Sequence, residues 1–132
     1  MENKNPIEDL FTDSGPFDQA EVVKILKPIV QIMRDTNQVF FLRDDIKVGD
    51  KILAFALAKK ILNASGYSNG ENYISAVEVS KNYPDWPKGS IDTSFKQLRE
   101  DKYLIGKGKK YEIPNSKISQ VLERLKSVSK VD

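Results

Sequence analysis

The sequence predicts a mainly α-helical fold that carries one small antiparallel β-hairpin. Apolar residues recur at helical spacing in several segments of the 132-residue chain. Most of these segments begin or end at capping residues or prolines. A glycine- and lysine-rich turn at residues 106–110 separates two short β-prone runs, as in a hairpin. These three observations define the fold class.

Composition excludes most catalytic chemistry. The chain has no cysteine and no histidine, which removes disulfides, thiolate nucleophiles, imidazole bases and most transition-metal sites. The carboxylate pairs Asp44–Asp45 and Glu100–Asp101 are adjacent in sequence, so their side chains point apart and do not converge on one atom. We therefore predict no catalytic residue, no cofactor and no metal, and a protein that is not an enzyme.

Charge is distributed unevenly along the chain. The formal net charge is +2, but residues 1–21 hold six acidic residues against one lysine, and residues 81–110 hold eight basic against four acidic residues. We read residues 1–17 as an acidic, disordered tail. The start has neither a basic lead-in nor an apolar core, and no stretch could span a membrane. We therefore expect a cytoplasmic protein.

The N-terminal segment, residues 18–66, is predicted to form helices. Asp18 can cap a helix, and Glu21 can reach back to it. Helical spacing of apolar residues continues from Val22 to Met33, with a kink or break expected near Lys27 because Pro28 lacks an N–H. Residues 38–42 could form a strand or the run-in to the next helix.

A central core helix follows. Asp50 opens a segment, residues 50–63, whose apolar residues lie all round the helix, so several sides must be buried. Gly66 can close it in a left-handed conformation. Residues 67–72 are predicted to form a loop.

Residues 75–101 have the pattern of two helices joined by a turn. Ser75 and Glu78 form a capping box, and Pro84 ends that helix. After a rigid turn at residues 83–89, Ser90 is expected to cap a second helix. Its apolar stripe is Ile91, Phe95 and Leu98. Its outer side holds Thr93, Lys96, Gln97 and Glu100, with Asp92 and Arg99 flanking.

The predicted hairpin comes directly after the second helix. Lys102–Ile105 and Tyr111–Ile113 are expected to be its strands, and Pro114 ends the second strand. The turn between them, residues 106–110, contains Lys107, Lys109 and Lys110.

This order of elements resembles the winged helix-turn-helix superfamily over residues 74–113. The resemblance implies a winged helix-turn-helix fold with additional N-terminal helices and a C-terminal helix, in which the hairpin is the wing. In that superfamily the second helix commonly enters the DNA major groove and the wing touches the backbone or the minor groove. No specific family is indicated.

A final helix is predicted over residues 115–129, with Asn115 or Ser116 as its cap. Its apolar stripe consists of Ile118, Val121, Leu122, Leu125 and Val128. The stripe can pack on the N-terminal helix of the same chain, or it can form the seam of a homodimer. The sequence leaves both interpretations open.

The working hypothesis is a small transcription-regulator-like protein that binds double-stranded DNA and can form a homodimer through its terminal helices. A DNA-binding face needs cations near the phosphates and polar side chains that can form bidentate hydrogen bonds with base edges. The predicted DNA-binding residues are Lys88, Ser90, Thr93, Lys96, Gln97, Arg99, Lys107, Lys109 and Lys110. Asp92 and Glu100 lie near the same face and would repel phosphate. The alternative is a protein–protein interaction module without DNA binding.

Overall fold

A computed structural model describes residues 18–66 and 73–129 of the chain. Its elements follow in chain order: α1 (Gln19–Leu26), β1 (Val30–Ile32), β2 (Val39–Phe41), α2 (Val48–Ala64), α3 (Ala76–Asn82), α4 (Lys88–Glu100), β3 (Ile105–Lys107), β4 (Lys110–Glu112) and α5 (Ile118–Ser129). The described part is therefore mainly helical, as predicted. The predicted acidic tail, residues 1–17, and the predicted loop, residues 67–72, lie outside the described residues.

The first helix begins as predicted and ends earlier than its apolar spacing suggests. The Asp18 side chain accepts a hydrogen bond from the Glu21 amide, and α1 ends at Leu26, two residues before Pro28. The break expected near Lys27 is confirmed, but the helical spacing that continues to Met33 does not form a second helical segment, because residues 30–32 form strand β1. A strand is possible there because Pro28 cannot extend the helix and a β-prone partner lies within reach.

That partner is β2, and the two strands form a hairpin that the predicted fold class did not contain. The strands run antiparallel, with Val30 opposite Phe41 and Ile32 opposite Val39. Val30 and Val39 are buried, whereas Gln31 and Phe40 face outward. The described residues thus contain two two-stranded sheets in place of the single predicted hairpin, and residues 38–42 include a strand.

The central helix α2 is buried nearly all round, as predicted. Its positions from Asp50 to Ala58 are all buried. It begins at Val48, two residues before the predicted start at Asp50. Asp50 lies in its first turn, where it accepts a 2.6 Å hydrogen bond from Arg124 Nε. Gly66 follows the helix with a φ of +82°, which confirms the left-handed closing residue.

The two helices of residues 75–101 and the turn between them are also present. The Ser75 hydroxyl accepts from the Glu78 amide at 3.1 Å, and α3 ends at Asn82, before Pro84. The predicted cap at Ser90 is wrong: α4 begins at Lys88 with Pro87 as its N-terminal neighbour, and no side chain caps it. The proline ring presets the backbone angle for the helix start, so the helix begins earlier.

The C-terminal helix α5 packs inside the chain. A short 3₁₀ turn, Asn115–Lys117, precedes it. Four of its stripe residues, Ile118, Val121, Leu122 and Leu125, are buried, and Val128 is partly buried. The helix contacts α1 and α2. Intrachain packing of this stripe is therefore confirmed, and a homodimer through the terminal helices would have to use other residues of them.

The outward face of the β1–β2 hairpin is largely apolar, although Gln31 is exposed there too. Met33, Phe40 and Leu42 are 52%, 43% and 52% exposed. Phe41, on the inward face, contacts Tyr83 and Trp86. Among the described helices, none is both long and apolar enough to cross a bilayer.

Candidate nucleic-acid interface

Helix α4 is held with one face toward the core and one toward solvent. Ile91, Phe95 and Leu98 are at most 4% exposed, and the helix packs on α2 and α3. Spacing of four and three residues puts these side chains on one side of a helix, so the remaining positions must face outward. The predicted inward orientation of the apolar stripe is confirmed.

The outer side of α4 carries the predicted polar residues. Thr93, Lys96, Gln97 and Arg99 are all exposed. Lys88 and Ser90 are exposed in the first turn of the helix. Backbone N–H groups at the start of a helix have no partner within the helix and attract anions.

A second hairpin follows α4 directly. Ile105 pairs with Glu112 and Lys107 with Lys110, so the turn residues are Gly108 and Lys109. The predicted hairpin is confirmed, but β3 starts three residues later than predicted, at Ile105, and β4 starts one residue earlier, at Lys110, so the turn is shorter than predicted. Gly108 takes a φ of +65°, a conformation that glycine adopts without a steric cost.

Gly106 in β3 makes the close approach of the two strands possible. A Cβ added there would collide with the Tyr111 ring and with the Lys110 carbonyl oxygen. Lys102, the second residue after α4, also matters for the turn into this strand, since it has a φ of +69°. The hairpin therefore has defined geometry at its base and at its tip.

Tyr111 joins the hairpin to α4. Its ring lies 5.7 Å from the Phe95 ring and 5.4 Å from the Arg99 guanidinium, which lies over its face. Its backbone exchanges two 2.7 Å hydrogen bonds with Ile74, just before α3. The hairpin is thus attached to the helix pair on two sides, and Arg99 is oriented toward the hairpin.

A buried ion pair adds a third attachment. Lys60 on α2 is 6% exposed and donates to Glu112 of β4 at 3.1 Å. Loss of either partner would leave the other charge poorly solvated, so the pair favours one position of the hairpin.

The structure brings the predicted site residues together in two groups. Six of them lie on α4: Lys88, Ser90, Thr93, Lys96, Gln97 and Arg99. Lys109 and Lys110 lie exposed at the hairpin tip, and Lys107 lies in β3. Asp92 and Glu100 are exposed on α4 as well, so the face has both signs of charge.

Two cations beside α4 were not predicted. Lys47 and Arg124 line a cleft of about 590 Å³ together with Ser90, Thr93 and Gln97. Arg124 also lies over the Tyr103 ring and binds Asp50. They are far from α4 in sequence, so no local pattern could have indicated them.

No described group of three or more acidic side chains is arranged to hold a metal ion. Comparison with known proteins adds no relative: no family model, curated protein or solved structure matches the chain significantly.

Proposed function

We propose that the protein binds double-stranded DNA as a winged helix-turn-helix module of a small transcription regulator. In this proposal α3 and α4 are the helix-turn-helix, α4 enters the major groove, and the β3–β4 hairpin is the wing. The helices α1, α2 and α5 form the core that supports the helix-turn-helix. Nothing in this arrangement requires a cofactor.

The observation that carries the proposal is the attachment of the hairpin through Tyr111. Because Tyr111 contacts Phe95 and Arg99, the lysine-tipped hairpin stands beside the exposed side of α4. A rigid pair of elements lets side chains meet base edges and phosphates at the same time. Gln97 can bond adenine in a bidentate way, and Lys96 can reach guanine.

The unpredicted cations extend the same surface. Lys47 and Arg124 flank the side of α4 where Ser90 and Thr93 are exposed. A phosphate strand that passes along α4 would come within reach of both flanks. Phosphate contacts position a protein on the duplex, and base contacts provide the sequence preference.

A charge-removal experiment tests the proposal. Log affinity for duplex DNA should fall linearly with log salt, by about 0.9 for each phosphate contact. Changing Lys107, Lys109 and Lys110 to Ala should weaken binding to all sequences alike and reduce that slope by about 2–3. Fluorescence anisotropy of labelled duplexes over a salt series measures both effects.

The control removes the same charge elsewhere. Lys24, Lys27 and Arg34 are exposed cations outside α4 and the β3–β4 hairpin, and their replacement by Ala should leave the slope unchanged. Equal effects of the two triple variants would mean that the hairpin has no special contact with phosphate. Absence of duplex binding at about 50 mM salt, where phosphate contacts are strong, would reject the proposal.

A protein–protein interaction module is the second candidate. Two observations favour it: the acidic side chains of Asp92 and Glu100 on α4, and the exposed apolar face of Met33, Phe40 and Leu42. Exposed apolar patches often mark protein contacts. With this function, neither the parent chain nor either triple variant would bind DNA. The chain would instead bind a protein partner through the apolar face.

A further inference from the structure

A shallow groove runs between α3, α4 and the β3–β4 hairpin. It consists of two contiguous depressions of about 290 and 260 Å³, which share Ala76, Val77 and Asp92. Val77 is 70% exposed, a high fraction for an apolar side chain on a short helix. With Tyr111 at one end, the groove has an apolar floor. An apolar floor gives an incoming segment area to bury.

The rim of this α3–α4 groove is cationic. Lys81 and Lys88 line one depression, and Arg99 and Lys109 line the other. All four are exposed, and Asp92 is the acidic residue that lines both depressions. A segment that carries both apolar and acidic residues would be complementary to this groove, because its apolar residues can pack on the floor and its acidic residues can face the rim.

The chain itself contains such a segment. Residues 7–13 read Ile-Glu-Asp-Leu-Phe-Thr-Asp, with three large apolar and three acidic side chains. Residues 1–17 as a whole contain four acidic residues and one lysine. Their charge is opposite to that of the rim.

The segment is followed by α1, which begins at Gln19. Ser65 Oγ donates to Gln19 Oε1, so the start of α1 lies beside the end of α2. The last turns of α2 in turn contact sequence neighbours of groove residues: Lys59 Nζ donates to the Tyr73 carbonyl, two residues before Ser75, and Lys60 pairs with Glu112, next to Tyr111. Phe11 and Ile7 lie seven and eleven residues before Asp18, so extended chain can carry them about 23–25 and 36–40 Å from the start of α1. A small domain is about 30 Å across, so the reach of Ile7 is comparable with the diameter of the domain.

We propose that residues 7–13 dock in the α3–α4 groove and cover part of the surface assigned above to DNA. Ile7, Leu10 and Phe11 contact the floor near Val77, and the carboxylates face the lysines of the rim. Lys88, Arg99 and Lys109 belong to the groove and to the DNA surface, so a docked segment and phosphate compete for them. The competition rests on the proposed function, whereas the docking does not.

A spin label tests the docking without DNA. The chain has no cysteine, so Ser14→Cys in the full chain gives a single attachment site for a nitroxide. Amide signals of Val77, Asp92 and Lys109 should broaden, and high salt should reverse the effect. Broadening that is absent, or confined to residues 31–42 of the apolar β1–β2 face, would overturn the proposal.

Two substitutions to aspartate show which surface binds the segment. Val77→Asp places a negative charge on the groove floor and should abolish the broadening. It falls in the first turn of α3, where an acidic side chain interacts favourably with the helix dipole, so the fold should tolerate it. Met33→Asp makes the same change on the β1–β2 hairpin and should leave the broadening intact. The opposite pattern would assign the segment to the β1–β2 face.

A third variant leaves the groove untouched. The combined change Glu8→Gln, Asp9→Asn and Asp13→Asn should remove the broadening and raise affinity for duplex DNA about three- to tenfold. DNA binding that this change leaves unaltered would overturn the competition. If neither the parent chain nor the variant binds DNA, the proposed function fails, and the label experiment still decides the docking.

Discussion

The two hairpins of this protein share a backbone plan and differ in surface chemistry. Each pairs two three-residue antiparallel strands. The β1–β2 hairpin exposes Met33, Phe40 and Leu42, whereas the β3–β4 hairpin exposes Ile105 in its first strand and lysines at its tip. The difference teaches that side chains, and not strand geometry, decide what a small hairpin can bind.

Each hairpin is anchored by one inward aromatic residue, and the anchors differ too. Phe41 meets Tyr83 and Trp86 edge-on at 5.5 and 5.4 Å. Burial beside these groups, together with the charge of Glu78, raises the pKa of Tyr83 above its ordinary value. Tyr111 instead contacts one ring and one guanidinium, and adds backbone hydrogen bonds to Ile74. The first anchor thus combines ring contacts with a hydrogen bond from the Tyr83 hydroxyl to the Val39 carbonyl, and the second combines a ring, a cation and backbone hydrogen bonds.

The largest expected effect concerns the anchor of β1–β2. Phe41→Ala should lower the free energy of unfolding by about 2–4 kcal/mol, because removal of the ring eliminates both aromatic contacts and leaves a cavity. Urea unfolding followed by the fluorescence of Trp86, the single tryptophan, measures the loss.

The neighbouring residue supplies the control. Phe40 points outward from the same strand and is 43% exposed, so Phe40→Ala should change stability by less than about 0.5 kcal/mol. Similar losses in the two variants would mean that the outward face of β1–β2 is covered, and the comparison between the hairpins would fail.

An intermediate effect is expected from Gly106 in β3. Gly106→Ala forces a Cβ against the Tyr111 ring and the Lys110 carbonyl, so unfolding should become easier by about 1–3 kcal/mol. Gly108→Ala should cost about 1 kcal/mol from its left-handed backbone, since space around it is open. Thermal unfolding by circular dichroism ranks the two. Gly106→Ala melting like the parent would show that the strands can separate freely.

The smallest effect lies next to β2. Arg43 hydrogen-bonds both carboxylate oxygens of Asp45, at 3.0 and 2.9 Å, and holds the pKa of Asp45 below its ordinary value. An acid with a lowered pKa contributes stability above its ordinary pKa, and that contribution is lost as pH falls through the lowered value. The Asp45 side chain is 59% exposed, so the contribution to stability is minor.

An NMR titration of the Asp45 carboxyl measures this shift. In Arg43→Gln the pKa should return toward that of an ordinary aspartate, because the hydrogen bonds that favour the charged form are gone. An unchanged titration in the variant would show that Arg43 does not hold the carboxylate in solution.

Local signals explain why one hairpin was predicted and the other was not. Gly106 and Gly108 mark a turn between two β-prone runs, and their position after α4 indicates a hairpin. The segment from Val22 to Met33 has helical spacing, and nothing local shows that Val30 pairs with Phe41. A strand at Val30 depends on a partner eleven residues away, whereas a helix there depends only on its own segment. The exposed side of α4 was predictable because its buried stripe is regular.

By itself the sequence determined the positions of the main helices, the inward face of α4 and the basic hairpin that follows it. Periodicity, caps, prolines and glycines act over a few residues, so they can be read along the chain. Only the tertiary structure decided that Tyr111 joins this hairpin to α4, that Arg124 pairs with Asp50, and that Val77 forms the floor of a basic groove. These contacts join residues distant in sequence, and packing of the described elements around α2 brings them together.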